Sequence, residues 1–134
     1  RGRMTHIEVK TDSARDMVDI TSRVKQAVQE SGIRDGLAFI YCPHTTGAIT
    51  VNEGADPDVC RDINVNLSHL IPRAGDYRHA EGNSDAHIKS SLVGCSETVI
   101  IENGALVLGT WQKIFFAEFD GPRRRKAYIK IIPG

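Results

Sequence analysis

The chain has 134 residues, enough for one domain with a single core and too few for a second. Seventeen Lys and Arg balance 17 Asp and Glu, so no global positive field gathers nucleic acid and no acidic excess suggests a basic partner. Hydrophobic residues make up 40%, the share of an ordinary globular protein. No apolar run is long enough to span a bilayer, and no signal peptide is recognised at the start. The expected setting is cytoplasmic, with no membrane partner and nucleic acid disfavoured. The chain begins at Arg1 rather than Met. Its three cysteines, Cys42, Cys60 and Cys95, are odd in number, widely spaced and free of any CxxC pair. They are read as reduced, buried small hydrophobes.

Met4–Lys10 alternates apolar and polar residues and predicts a strand, with a short second one at Met17–Ile20. Thr21 or Ser22 caps a helix bearing Val24, Ala27 and Val28, which Gly32 ends. Leu37–Tyr41 predicts a strand broken at Pro43–Gly47, with Ala48–Val51 as its partner. Asp56-Pro57 starts a helix with Val59, Ile63, Leu67, Leu70 and Ile71 on its apolar face. Ser84 caps a short helix whose apolar side is Ile88 and Leu92, ending at Gly94. Thr98–Glu102 turns through Asn103-Gly104 into Ala105–Leu108. Lys113–Phe119 and Lys126–Ile132 are expected to pair across Asp120-Gly121-Pro122. This order is not a strict βαβ alternation, and it predicts one α+β domain over residues 1–134.

Three histidines stand apart: His44 at a strand end, and His79 and His87 around Glu81-Gly82-Asn83. Three converging imidazoles with an open fourth position describe a catalytic zinc-type site. Glu53, Glu118 and Asp120 are carboxylates that can complete it, orient it or act as base. By spacing alone the pair matches no compact motif, and surface or hydrogen-bonding roles compete with ligation. His6 and His69 are assigned to element surfaces.

Arg123-Arg124-Arg125-Lys126 after the Gly-Pro turn offers guanidinium groups to a phosphate, or charge that shields an edge strand. Strand alternation puts Arg123 and Arg125 on one face and Arg124 on the other. Trp111-Gln112 offers a stacking face and an amide, or closes the core. Thr45 and Thr46 offer hydroxyls to an anion, or form a polar turn. Asn52-Glu53 is a site pair, or the lead into the next helix.

Taken in order, His44-Thr45-Thr46-Gly47, Asn52-Glu53, His79, Glu81-Gly82-Asn83, Ala86-His87, Gly109-Thr110-Trp111-Gln112 and Glu118-Phe119-Asp120-Gly121-Pro122-Arg123 resemble the YjbQ-like family, also labelled secondary thiamine-phosphate synthase. The resemblance runs from about Glu8 to Ile131. It implies a compact α+β fold with two packed, mainly antiparallel sheets and two to three helices. It also implies a homotrimer with pockets near the subunit contacts, lined by the matched histidines.

The family's named reaction joins hydroxymethylpyrimidine diphosphate to thiazole phosphate, releasing pyrophosphate. The expectation for this chain is a metal-dependent enzyme acting on a phosphorylated small molecule. The metal, zinc with magnesium as the alternative, is held by His44, His79 and His87. Catalytic carboxylates come from Glu53, Glu118 and Asp120; Thr45, Thr46, Asn52, Asn83, Trp111, Gln112 and Arg123 bind substrate. A magnesium diphosphate prefers oxygen ligands, whereas three histidines favour zinc. The rival expectation is a non-catalytic trimeric module that binds a metal or a phosphorylated metabolite.

Overall fold

A computed structural model describes residues 3–134. Eight strands and three helices follow in the order β1 (Arg3–Lys10), β2 (Asp16–Asp19), α1 (Thr21–Ser31), β3 (Gly36–Tyr41), β4 (Gly47–Glu53), α2 (Pro57–Leu70), α3 (Ser84–Val93), β5 (Ser96–Glu102), β6 (Ala105–Leu106), β7 (Gln112–Glu118) and β8 (Arg124–Pro133). They form a mixed α+β fold of two antiparallel sheets, ordered β1-β8-β3-β5-β6 and β2-β7-β4.

The local signals explain most of these elements. The Asp56 side chain accepts the Asp58 N–H at the start of α2, with Pro57 at the first helical position. Gly32 takes the left-handed conformation that ends α1. Asn103 and Gly104 both have positive φ, as a two-residue hairpin turn requires. At α1 the expected cap is displaced: Asp19, not Thr21 or Ser22, accepts the Thr21 N–H.

Two expected pairings are corrected. Ala48–Val51 does not pair with β3, and β7 does not pair with β8 across the Gly-Pro turn. Strand β3 lies between β8 and β5 in the large sheet, while β4 and β7 pair in the small one. Both connections, 42–46 and 119–123, cross between sheets instead of closing hairpins.

Alternation along the strands builds the core. Val9, Ala38, Ile40, Val99, Ile101, Ala127, Ile129 and Ile131 of the large sheet meet Ile49, Ile114 and Phe116 of the small one, with Val24 and Val28 of α1. Gly47 lies against this layer, where a Cβ would come within 2.9 Å of the Phe116 ring. Ala48, Ala117 and Phe119 face the other way and pack on Ala86 of α3.

In α2 the expected apolar residues Val59, Ile63, Leu67 and Ile71 are half-buried, with Leu67 packed against the Ala86–Phe119 cluster, while Leu70 is exposed. The expected apolar face of α3 is corrected. In α3, Ile88 and Leu92 are exposed, while Asp85, Ala86, Lys89 and Ser90 are buried. Lys89 sits inside, reaching Asp85 Oδ2 at 3.4 Å and Ser68 Oγ at 3.2 Å. All three cysteines are free, but only Cys42 is buried; Cys95 is exposed. Burial pushes the Cys42 thiol up to about 11, so it stays protonated at neutral pH.

Candidate functional site

Glu118 ends β7 and Arg125 is the second residue of β8, both on strand faces that point between the sheets. At this end of the sandwich they replace the apolar core with a buried ion pair. Arg125 Nε donates to Glu118 Oε1 at 2.8 Å, and Nη2 donates to Glu118 Oε2. Thr11 Oγ1 also donates to Oε1 at 2.8 Å, and the Asp120 N–H donates to Oε2 at 3.0 Å. Arg125 Nη2 reaches Thr46 Oγ1 at 2.8 Å as well.

Burial alone would raise the Glu118 carboxyl. Its bonds from Arg125, Asp120 and Thr11 outweigh that and hold it below the ordinary carboxylate range. Glu118 is wholly buried, with both oxygens engaged, so it stands as an orienting anion with no free face for substrate.

A cleft of about 670 Å³ opens beside this pair. The connection from β3 contributes His44, Thr45 and Thr46; the segment before α3 contributes His79, Glu81 and Asn83; α3 itself contributes His87. The turn after β7 adds Asp120 and Arg123, and Arg73 and Arg125 complete the cationic lining.

Within the cleft the polar groups are chained. Asn83 Nδ2 donates to Asp120 Oδ2 at 2.9 Å, and Arg123 Nη2 donates to the same oxygen at 3.0 Å. Arg123 Nε also donates to the Asp120 carbonyl at 2.9 Å, which fixes the guanidinium plane. Asp120 Oδ1 carries no hydrogen bond among the described residues. His79 and His87 stand edge to face, ring centroids 5.4 Å apart. His44 and Phe116 stand edge to face, 6.2 Å between ring centroids, and His44 accepts the Lys126 N–H on Nε2 at 2.9 Å.

Eight of the expected site residues therefore line or adjoin one place: His44, Thr45, Thr46, His79, Asn83, His87, Asp120 and Arg123. Glu118 lies just beneath them. Asn52, Glu53, Trp111 and Gln112 do not join them. In the β4–β7 register Gly47 faces Glu118 at one end and Glu53 faces Gln112 at the other. Six residues of strand separate the two ends, roughly 20 Å. At that far end Gln112 Oε1 accepts the Gly109 N–H at 2.8 Å, and Trp111 is exposed. Arg125, one of the arginines expected to offer a guanidinium to phosphate, lines the cleft together with Arg123, and Glu81 of the Glu81-Gly82-Asn83 segment joins them; Arg73 is the lining residue that sequence reasoning missed. Strand alternation put Arg125 on one face of β8, but Arg73 leaves a helix with no local signal.

The donor set of the cleft does not match the expected three-histidine metal site. His79 and His87 face each other, but His44 has its Nε2 engaged by a backbone amide. Among the described residues no three His, Cys, Asp or Glu side chains are placed to hold a metal ion. The three-histidine set is not assembled among the described residues of this structure.

A two-sheet antiparallel sandwich with a polar cleft at one end defines the class: a small α+β protein of two packed sheets. The family model for UPF0047 protein YjbQ-like matches residues 5–134, and the chain belongs to that family. It is 61% identical over 125 residues to a UPF0047 protein of Methanocaldococcus jannaschii, covering 93% of this chain and 91% of that one. It is 53% identical over 127 residues to UPF0047 protein YugU of Bacillus subtilis, covering 94% and 96%. A crystal structure of an uncharacterized YjbQ/UPF0047 protein from Clostridium acetobutylicum matches with TM-score 0.95 at 59% identity, over 96% of this chain and 99% of that one. A protein of unknown function from Sulfolobus solfataricus matches with TM-score 0.96 at 32% identity, over 100% and 99%.

Proposed function

We propose that the cleft binds the phosphate group of a phosphorylated small molecule and that Asp120 acts there as proton acceptor. The observation that carries this is the meeting of Arg73, Arg123 and Arg125 with Thr45, Thr46 and Asn83 in one cleft. Guanidinium groups bind phosphate oxygens in planar, two-bond fashion, and Arg123 is already oriented by Asp120. Displacement of pyrophosphate, as in the thiamine-phosphate reaction, needs such cations at the leaving group. A stacking platform from Trp111 is not part of the cleft of one chain. The metal expectation narrows to His79 and His87 as the imidazole pair on which zinc would seat. The expected cytoplasmic setting belongs to the same proposal.

Calorimetric titration with inorganic phosphate, pyrophosphate and a phosphate monoester tests it. Binding of at least one is expected, and at about a hundred times its Kd it should raise stability by about 2.7 kcal/mol. No binding of any of the three would sink the reading. Supplying hydroxymethylpyrimidine diphosphate with thiazole phosphate then separates the two classes: thiamine phosphate formed identifies an enzyme, and saturable binding without product identifies a binding module.

We also propose the homotrimer that the resemblance implies. Its support is the outer face of the large sheet, where Met4 is 60% and Ile100 57% exposed, with Leu37, Tyr41 and Ile132 beside them. Phe39 and Tyr41 stack there, centroids 6.4 Å apart. Sedimentation equilibrium is expected to give three times the chain mass of 14.7 kDa, and Ile100→Asp is expected to give single chains. A monomeric parent would overturn the assembly.

A further inference from the structure

His44 is expected by resemblance to be a metal ligand, but its surroundings require a different chemistry. The β3–β8 ladder ends at the pair Tyr41–Tyr128. Lys126 lies two residues further along β8, where β3 no longer runs beside it. The chain after β3 supplies a side chain instead, and the Lys126 N–H donates to His44 Nε2 at 2.9 Å. An amide N–H can only donate, so Nε2 presents its lone pair. A neutral imidazole with its lone pair on Nε2 carries its proton on Nδ1. Turning the ring over would set a carbon against the amide, so this contact fixes the ring's orientation. The one remaining polar atom of His44 is thus an N–H donor. To bind a metal, Nδ1 would have to lose that proton, or the ring would have to abandon the Lys126 amide.

The neighbouring residue of β8 is built the same way. Arg125 Nε and Nη2 are committed to Glu118 and Thr46. Nη1 has no hydrogen-bond partner among the described residues, and Arg125 lines the cleft beside His44. Burial, and then the nearby Arg125 charge, hold the His44 imidazole below its usual range, in keeping with a neutral ring.

We infer that His44 Nδ1–H and Arg125 Nη1 form a preset pair of donors for one anionic oxygen or phosphate group, and that His44 is a binding residue for the anion and not a metal ligand. This rests on the phosphate reading of the cleft, and deepens it.

The test uses the whole chain with 15N-labelled histidine. Two-bond 1H–15N spectra of the ligand-free protein are expected to show His44 protonated on Nδ1 and not on Nε2. Added zinc should move the His79 and His87 signals and leave the His44 pattern unchanged; inorganic phosphate should shift His44 Nδ1. His44→Asn keeps an N–H near the Nδ1 position and should hold phosphate within about threefold of the parent, whereas His44→Ala should weaken it about tenfold. An Nε2-protonated His44, or zinc binding lost in His44→Asn as in His79→Ala, would overturn the assignment. If the parent binds no phosphate, the cleft reading fails, while the protonation pattern of the ring still decides between donor and ligand.

Discussion

Glu118→Ala is expected to destabilise the fold by about 3–5 kcal/mol, because it leaves the Arg125 guanidinium buried without its counter-charge. Four donors converge on that carboxylate, so Thr11, Asp120 and Arg125 all lose a partner at once. Urea unfolding measures the loss. A cost under about 1 kcal/mol, the value of an exposed pair, would show that water reaches the site. Replacing both partners, as Glu118→Leu with Arg125→Met, should recover much of the stability, since an apolar pair of similar volume removes both desolvation penalties.

The same pair sets an acid limit. Glu118 is held below its ordinary range when folded, so its contribution is complete above the unfolded carboxylate value of about 4.3. It is lost as pH falls from there through the lower folded value. The parent should therefore lose stability more steeply over that window than Glu118→Gln, which has no proton to take up at this position.

The second large effect concerns the ligand. Arg123→Ala is expected to weaken phosphate binding by about 1.5–3 kcal/mol, roughly ten- to a hundredfold in Kd, with little change in stability. Its side chain is half exposed, and its bonds to Asp120 orient it without supporting the core. Removing it also leaves Asp120 facing the anion with one donor fewer. Arg123→Lys should fall between the two, because an ammonium keeps the charge but not the planar fork. Unchanged affinity in Arg123→Ala would transfer the anion to Arg73 and Arg125 at the inner wall.

Much of the secondary structure is legible because its signals are local. Asp56-Pro57 starts a helix by a cap and a fixed φ, and Asn103-Gly104 turns by tolerating positive φ; neither depends on the rest of the chain. Sheet membership is not local. A β7 that continues into a turn and then β8 reads as a hairpin, and only the packing of two sheets decides that the turn crosses between them. Helix α3 misled for a related reason. Its apolar Ile88 and Leu92 face outward, while Lys89 and Asp85 satisfy each other inside, and a buried pair leaves no trace in hydrophobic spacing.

The site divides along the same line. Residues of the His44, Asn83–His87 and Asp120–Arg123 segments meet because loops at one end of the sandwich carry them. Asn52 and Trp111 belong to equally distinctive segments, yet the strand register sends them to the opposite end. Sequence order carries no sign of which end a strand terminus occupies.

The buried Glu118–Arg125 pair joins β7 of one sheet to β8 of the other, at the floor of the cleft. Its hydrogen bonds also tie in Thr11 after β1 and, through Thr11, the Arg123 amide. The cleft therefore cannot loosen by fraying a single loop; opening its floor means prising the sheets apart. The amides of Thr11, Asp120 and Arg123 are expected to exchange among the slowest in the molecule, through global unfolding, and those of the Trp111 turn by local fluctuation; native-state hydrogen exchange checks this.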